Sequence, residues 1–389
     1  MDIKILIYTL YIPNGLCGIS NHARQLVSHL KEKGIDITVC TSDLLWTKSD
    51  ILNQHSKKLL IFKQWNSSKA DFSPELFLYF KRYVKKFDII QLSGIFNFPT
   101  IFGAYEARAA GIPYIVMCEG YSVPSMMPYA GSLKKHLFYW FLGRKVLKKS
   151  QMVVCSNQGN KEIIHRQLSV DNVVYIPYGL DYLPYTEQSS PDVIRERLGI
   201  NPDRPIFLLL GRLSQEKAIP FLLDMWELFV KEVPEAYLVI AGPAGFNKRY
   251  TKKIASRIAQ SNYAKTVLLP GAVTGDLKYA LLQHSRSLLL PSYFESFSNV
   301  VLEALASGIP VIASAGTPWS VLEEKRLGRW LGEWDIELWK KALTDILRDK
   351  YYESQNFKEV SRQWVIDNFN WSNVADQYID IYKKILKRN

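Results

Sequence analysis

The segment Leu288-Leu289-Leu290-Pro291-Ser292-Tyr293-Phe294-Glu295-Ser296-Phe297-Ser298-Asn299-Val300-Val301-Leu302-Glu303-Ala304-Leu305-Ala306-Ser307-Gly308-Ile309-Pro310 is a strand end, a loop and a helix in succession. Three leucines stopped by a proline make the strand end. Ser298 or Asn299 is suited to cap the helix with a side-chain oxygen. Gly308 suits the left-handed residue that closes it, and Pro310 cannot continue it. This places Glu295 in the loop and Glu303 in the second helical turn. Between them lie the amides of Ser298, Asn299 and Val300, at the positive end of the helix dipole, a seat for phosphate. A nucleotide-sugar needs such a set: a carboxylate for sugar hydroxyls, amides for the diphosphate, a carboxylate for ribose hydroxyls.

The glutamates, with seven residues between them, sit in Pro-Ser-x-x-Glu-x-Phe and lead into Glu-Ala-Leu-Ala-Ser-Gly-x-Pro-Val. This run resembles the signature of the family 4 retaining glycosyltransferases, which have the GT-B fold. The resemblance extends to Gly211-Arg212-Leu213-Ser214-Gln215-Glu216-Lys217, similar to a family motif whose Arg and Lys neutralise the leaving pyrophosphate. Independently of any family, two cations five residues apart, Arg212 and Lys217, can bracket a diphosphate. Ala218 stands where the family motif has a further glycine.

Other matches carry departures. Gly18 keeps one glycine of an adjacent pair expected near the donor phosphate and acceptor; Cys17 takes the other place. Glu119 replaces a His or Arg expected near the sugar, which points to contact with an acceptor hydroxyl or a donor substituent. Tyr178 stands at an Asn position of the segment joining the domains, and a structural role is expected for it. Gly271, after a strand, is expected to shape the base pocket. The resemblance spans the chain and is most specific from Gly211 to Trp319.

Hydrophobic rhythm supports the same class. Alternating strands and helices over the first half, then a restart from Ile206, read as two doubly wound parallel α/β sheets. The expected division is an acceptor-binding Rossmann-like domain over residues 1–185 and a donor-binding one over 186–365. A final helix, 366–389, would cross back to the first domain, as the resemblance implies. Pro184–Pro191 is the expected hinge, Trp364–Leu386 reads as strongly helical, and the ligand crevice is expected at the facing carboxyl edges of the sheets.

Composition narrows the rest. The 389 residues are 48% hydrophobic and 13% aromatic, enough for two cores and unlike a disordered chain. No run approaches the ~20 apolar residues that span a bilayer. Four widely spaced cysteines suit a reduced cytoplasmic protein better than a disulfide framework. Net charge is +12, and residues 1–185 hold 22 Lys/Arg against 13 Asp/Glu. No acidic residue lies between Glu119 and Glu162, where lysines interleave with Phe138, Tyr139, Trp140 and Phe141. Such a mixture can dock on anionic lipid, although residues 133–149 do not divide into two faces on a helical wheel. Nucleic acid is not expected as a partner, since no recognition motif accompanies the charge. Neither is a metal, since no Asp-x-Asp pair is present.

The expectation is therefore a retaining, metal-independent hexosyltransferase with no cofactor beyond its donor, a UDP-sugar ahead of a GDP-sugar. Arg212, Lys217 and Glu295 would be catalytic; Gly18, Gly211, Gly271, the helix start and Glu303 would hold the donor. The acceptor would be a lipid-linked glycan of surface polysaccharide, such as lipopolysaccharide, met at the inner face of the plasma membrane. The rivals are a GT-B epimerase or phosphorylase and a non-catalytic nucleotide-sugar scaffold.

Overall fold

The computed structural model describes residues 3–10, 18–43, 46, 56–65, 71–118, 133–169, 171–245 and 247–387. Two compact units divide the chain: residues 1–179 with 371–389, and residues 180–370.

The first unit is built on seven parallel strands: β1 (Lys4–Tyr8), β2 (Asp36–Ser42), β3 (Leu59–Phe62), β4 (Ile89–Ser93), β5 (Tyr114–Cys118), β6 (Met152–Cys155) and β7 (Val173–Tyr175). Their order is β3-β2-β1-β4-β5-β6-β7. Both faces are buried, which is why the strands read as continuous apolar runs. Leu6, Tyr8, Ile90, Leu92, Val116 and Val153 feed one core. Ile5, Ile7, Ile89, Ile115 and Val154 feed the other.

The helices of this unit are α1 (Gly18–Glu32), α2 (Pro74–Tyr83), α3 (Phe98–Ala109), α4 (Leu133–Phe138), α5 (Arg144–Lys149) and α6 (Gln158–Leu168). One wide π-helical stretch, Tyr139–Gly143, joins α4 to α5. That extra width explains why a regular helical wheel fails over 133–149. The second core is completed from far along the chain by the last helix, which supplies Trp371, Val374, Tyr378, Tyr382 and Ile385. Tyr382 Oη donates to the buried Gln91 Oε1 at 2.7 Å.

The second unit carries β8 (Ile206–Leu210), β9 (Tyr237–Ala241), β10 (Val267–Gly271), β11 (Ser287–Leu290), β12 (Val311–Ser314) and β13 (Gly328–Leu331). All are parallel, in the order β10-β9-β8-β11-β12-β13. The order reverses between β8 and β11, the switch point where doubly wound sheets take ligands. Its helices are α7 (Leu183–Thr186), α8 (Asp192–Leu198), α9 (Ile219–Glu232), α10 (Lys248–Ala259), α11 (Gly275–His284), α12 (Asn299–Ala306), α13 (Val321–Glu324), α14 (Ile336–Arg348) and α15 (Gln355–Phe369). The chain ends with α16 (Trp371–Leu386) in the first unit.

Two expectations differ from the structure. Residues 183–191 are stapled to α11: Gln283 Nε2 donates to Tyr185 O and Glu187 O, and its Oε1 accepts from Ser189 N. They thus belong to the second unit, which begins at Leu180. The tail is two helices rather than one, because Asn370 between them is extended (φ −64°, ψ 131°).

Candidate functional site

The site is assembled at the carboxyl ends of β8, β9 and β11. Gly211, Gly242 and Gly271 follow or end three neighbouring strands and are laced by backbone bonds. Gly211 N donates to Ala241 O at 2.9 Å, and Gly242 N to Gly271 O at 2.7 Å. A Cβ on Gly242 would stand 1.8 Å from Gly211 O, so only glycine fits there. Gly271 (φ +78°) has open space around its missing Cβ.

Beyond Gly211 the chain makes one 3₁₀ turn, Gln215–Lys217, and then Ala218 adopts the left-handed conformation (φ +47°, ψ +37°). Glycine would be relaxed there, which gives the Ala218 departure a conformational meaning. The turn carries Lys217 Nζ to Glu295 Oε1, 2.6 Å away. Their side chains are only 11% and 17% exposed, so the pair is largely withdrawn from water. Ser292 Oγ donates to the same oxygen at 2.9 Å. The Glu295 loop is pinned by Tyr293 N to Glu216 O and by Glu295 N to Gly316 O. Gly316 has no room for a Cβ against Tyr293 O. Arg212, on the same loop as Lys217, is half exposed and lies 3.6 Å from Glu216.

The helix start departs from expectation. Ser298 is the N-cap residue of α12, but in the left-handed region (φ +76°), and its side chain makes no capping bond. Its carbonyl instead accepts from Val301 N at 3.1 Å. The buried Asn299 Oδ1 likewise finds no hydrogen-bond partner. The first-turn amides, those of Asn299 and Val300 among them, are therefore not taken up by a Ser298 or Asn299 cap. At the other end Gly308 is left-handed (φ +80°), as expected. Arg362 from α15 donates to Ala306 O and Ser307 O, satisfying carbonyls the helix leaves over.

Glu303 is buried, 6% exposed. Its Oε1 accepts from Lys278 Nζ at 2.8 Å, while its Oε2 is buried without a hydrogen-bond partner. Lys278 also reaches Tyr185 Oη at 3.3 Å. Burial and the adjacent Glu303 carboxylate push the Tyr185 phenol far above its ordinary pKa, so it stays neutral. Lys278 and Tyr185 were not legible as site residues: each lies remote in sequence from Glu303, and no periodicity links them. The structure thus pairs Lys217 with Glu295 and Lys278 with Glu303. It leaves Arg212 on its own loop, paired with Glu216.

Gly18, exposed with nothing near its missing Cβ, opens α1 in the first unit. Glu119 lies outside the described residues. Tyr178 stacks on the buried ring of His22, centroids 3.9 Å apart, a packing role. Among the described residues no group of three His, Cys, Asp or Glu side chains is placed to hold a metal. No helix among them is long and apolar enough to cross a membrane.

Comparison with known proteins places these observations. The family model described as Glycosyltransferase Family 4 matches residues 17–182, and that described as Glycosyl transferases group 1 matches residues 191–364. An uncharacterized glycosyltransferase of Methanocaldococcus jannaschii is 27% identical over 190 residues, 49% of this chain and 47% of that protein. The chain therefore spans about half the length of that relative. The UDP-Gal:alpha-D-GlcNAc-diphosphoundecaprenol alpha-1,3-galactosyltransferase of Escherichia coli is 25% identical over 307 residues, 77% of this chain and 76% of that one. Among solved structures, HepE of Anabaena in complex with UDP and glucose superposes with a TM-score of 0.77 at 18% identity, covering 98% of this chain and all of that one. Sucrose-phosphate synthase of Thermosynechococcus elongatus gives 0.79 at 19% identity, with full coverage of both. With a Rossmann-like sheet in each unit and the two matches together taking in most of its length, the chain belongs to the family 4 glycosyltransferases of GT-B fold.

Proposed function

We propose that this chain is a retaining hexosyltransferase that moves a hexose from a UDP-sugar to a hydroxyl of a lipid-linked glycan during surface polysaccharide synthesis, such as that of lipopolysaccharide. The observation that carries the reading is the Lys217–Glu295 pair, held at the strand-order reversal beside a helix start with no side-chain cap. In this reading the diphosphate lies on the amides of Ser298, Asn299 and Val300, with Arg212 and Lys217 as countercharge. Gly211 gives it backbone room. Glu295 holds sugar hydroxyls, and the unsatisfied Glu303 Oε2 accepts from the ribose. Lys278 and Tyr185 are positioning residues for Glu303, and Gly271 borders the base.

In the transfer step the bond between the anomeric carbon and the β-phosphate oxygen breaks. A bond from the acceptor oxygen forms on the same face. The hydroxyl proton passes to the departing phosphate oxygen, so no enzymic nucleophile is consumed. Arg212 and Lys217 stabilise the charge on that phosphate, and no divalent ion is part of the proposal. Gly18 and Glu119 are assigned to the acceptor side. The relative named for a UDP-Gal donor and a diphosphoundecaprenol acceptor supports UDP and a lipid carrier.

Thermal melting tests the donor. UDP should raise the melting temperature more than GDP or ADP at equal concentration, since ligand bound only to the native state stabilises it by mass action. Equal responses to all three nucleotides, or none, would remove the UDP assignment.

The acceptor reading has its own support in the first unit. Leu133, Leu137, Trp140 and Phe141 are exposed at 73%, 47%, 59% and 74%. They follow one another at helical spacing over α4 and the π turn, among Lys134, Lys135 and Lys145. Such a patch on a soluble surface marks an interaction site. Each basic group contributes about 1 kcal/mol on an anionic membrane, and burying each ring about 2 kcal/mol more. In flotation, the protein should rise with vesicles containing phosphatidylglycerol and not with phosphatidylcholine alone. Trp140→Ser/Phe141→Ser should lower recovery to the neutral-lipid level; unchanged recovery would point to a soluble acceptor.

A further inference from the structure

We infer that the second unit carries a second anion site, separate from the paired glutamates, which takes a phosphate group borne on a ring or a short chain. A cavity of about 420 Å³ opens between the 3₁₀ turn at Gln215 and the helix α10. That volume falls within the usual range for small-molecule sites, roughly 300–1,000 Å³.

Its chemistry is two-sided. Tyr250, Ile254 and Pro220 give an apolar floor, and Arg249, Lys253 and Arg257 stand around it at successive four-residue steps of one helical face. Among the described residues no acidic side chain lines the cavity. Arg257 is already committed, to Asp224 and to Pro220 O. Arg249 and Lys253 make no ion pair with any described residue. Two uncompensated cations one turn apart match the charge of a phosphate dianion. The apolar floor beneath them favours a phosphate that brings carbon with it over inorganic phosphate.

The site also has a mechanical link to the other. Gln215 lines the cavity and belongs to the 3₁₀ turn that ends in Lys217. Filling the cavity therefore presses on the turn that presents Lys217 to Glu295. The proposal does not require the transferase reading, because the cavity and its unpaired cations stand without it.

The test is calorimetric titration with phenyl phosphate and with inorganic phosphate at fixed ionic strength, using the full chain. Wild-type protein should bind phenyl phosphate more tightly than inorganic phosphate. Arg249→Gln/Lys253→Gln should weaken phenyl phosphate by about tenfold or more, since two charge-assisted contacts go. Arg212→Ala/Lys217→Ala should leave that binding within about twofold, and melting curves will confirm that both variants fold. Loss in the Arg212/Lys217 variant with retention in the Arg249/Lys253 variant would overturn the proposal. So would silence in every titration, unless vesicles bearing phosphatidic acid capture wild type and release Arg249→Gln/Lys253→Gln. That last pattern would assign the phosphate to a lipid headgroup.

Discussion

Replacing Lys217 with alanine is expected to lower kcat for sugar transfer by about 10²–10³-fold, the usual effect of removing one preorganised electrostatic contact to a leaving group. The fold should survive with a modest penalty. Glu295 would keep Ser292 Oγ but lose its amine, leaving a largely buried carboxylate without a counter-ion. That costs roughly 1–3 kcal/mol, below the value for fully buried pairs because both side chains retain some solvent. The two effects separate in a second variant. Lys217→Ala/Glu295→Gln should recover most of the lost stability, because the carboxylate is gone, and recover none of the activity. Initial-rate measurements on UDP-sugar with urea unfolding of each variant decide the matter. Turnover within threefold of wild type in Lys217→Ala would remove Lys217 from the mechanism.

The second large effect concerns acid. His22 lies in the core of the first unit with neither ring nitrogen hydrogen-bonded, stacked on Tyr178 and near Trp371. Burial lowers its pKa to about 3 from 6.5. The unfolded chain therefore holds the extra proton over the interval between those values. The contribution to stability is complete above pH 6.5 and falls away as pH drops towards 3, by about 1.4 kcal/mol per unit. Between pH 6.5 and 5 the first unit should lose about 2 kcal/mol from this group alone. His22→Phe keeps an aromatic ring against Tyr178 and removes the titration. Urea unfolding at both pH values should show a drop smaller by that amount in the variant; equal drops would mean that His22 does not titrate as its burial requires.

Neither effect could be derived from sequence in full, and the reasons differ. The parallel strands were legible because both faces of each sheet are buried, which writes uninterrupted apolar runs such as Ile206–Leu210 and Tyr114–Cys118. Strand β13, Gly-Arg-Trp-Leu, was not, because it is an edge strand with a charge in its middle. Helix α14 was missed as well, although Asp335 caps it by accepting from Leu338 N. Glu295 and Glu303 stood out through the run around them. Lys217 stood out through its own motif, but its pairing with Glu295, 78 residues away, did not, and Lys278, 25 residues from Glu303, carried no motif at all. The apolar stripe at 133–141 was obscured by the π turn, which breaks the 3.6-residue period that a helical wheel assumes.

The division of the chain into a continuous unit and an interrupted one has a consequence for biosynthesis. Residues 180–370 are contiguous, so the second unit has all its parts once Asn370 has left the ribosome. The first unit, begun earlier, must wait for Trp371 to Ile385 before the sheet face of Ile5, Ile7 and Ile115 is covered. Nascent chains therefore hold an open apolar sheet face for the time needed to make some two hundred further residues, and the half translated first is the half completed last.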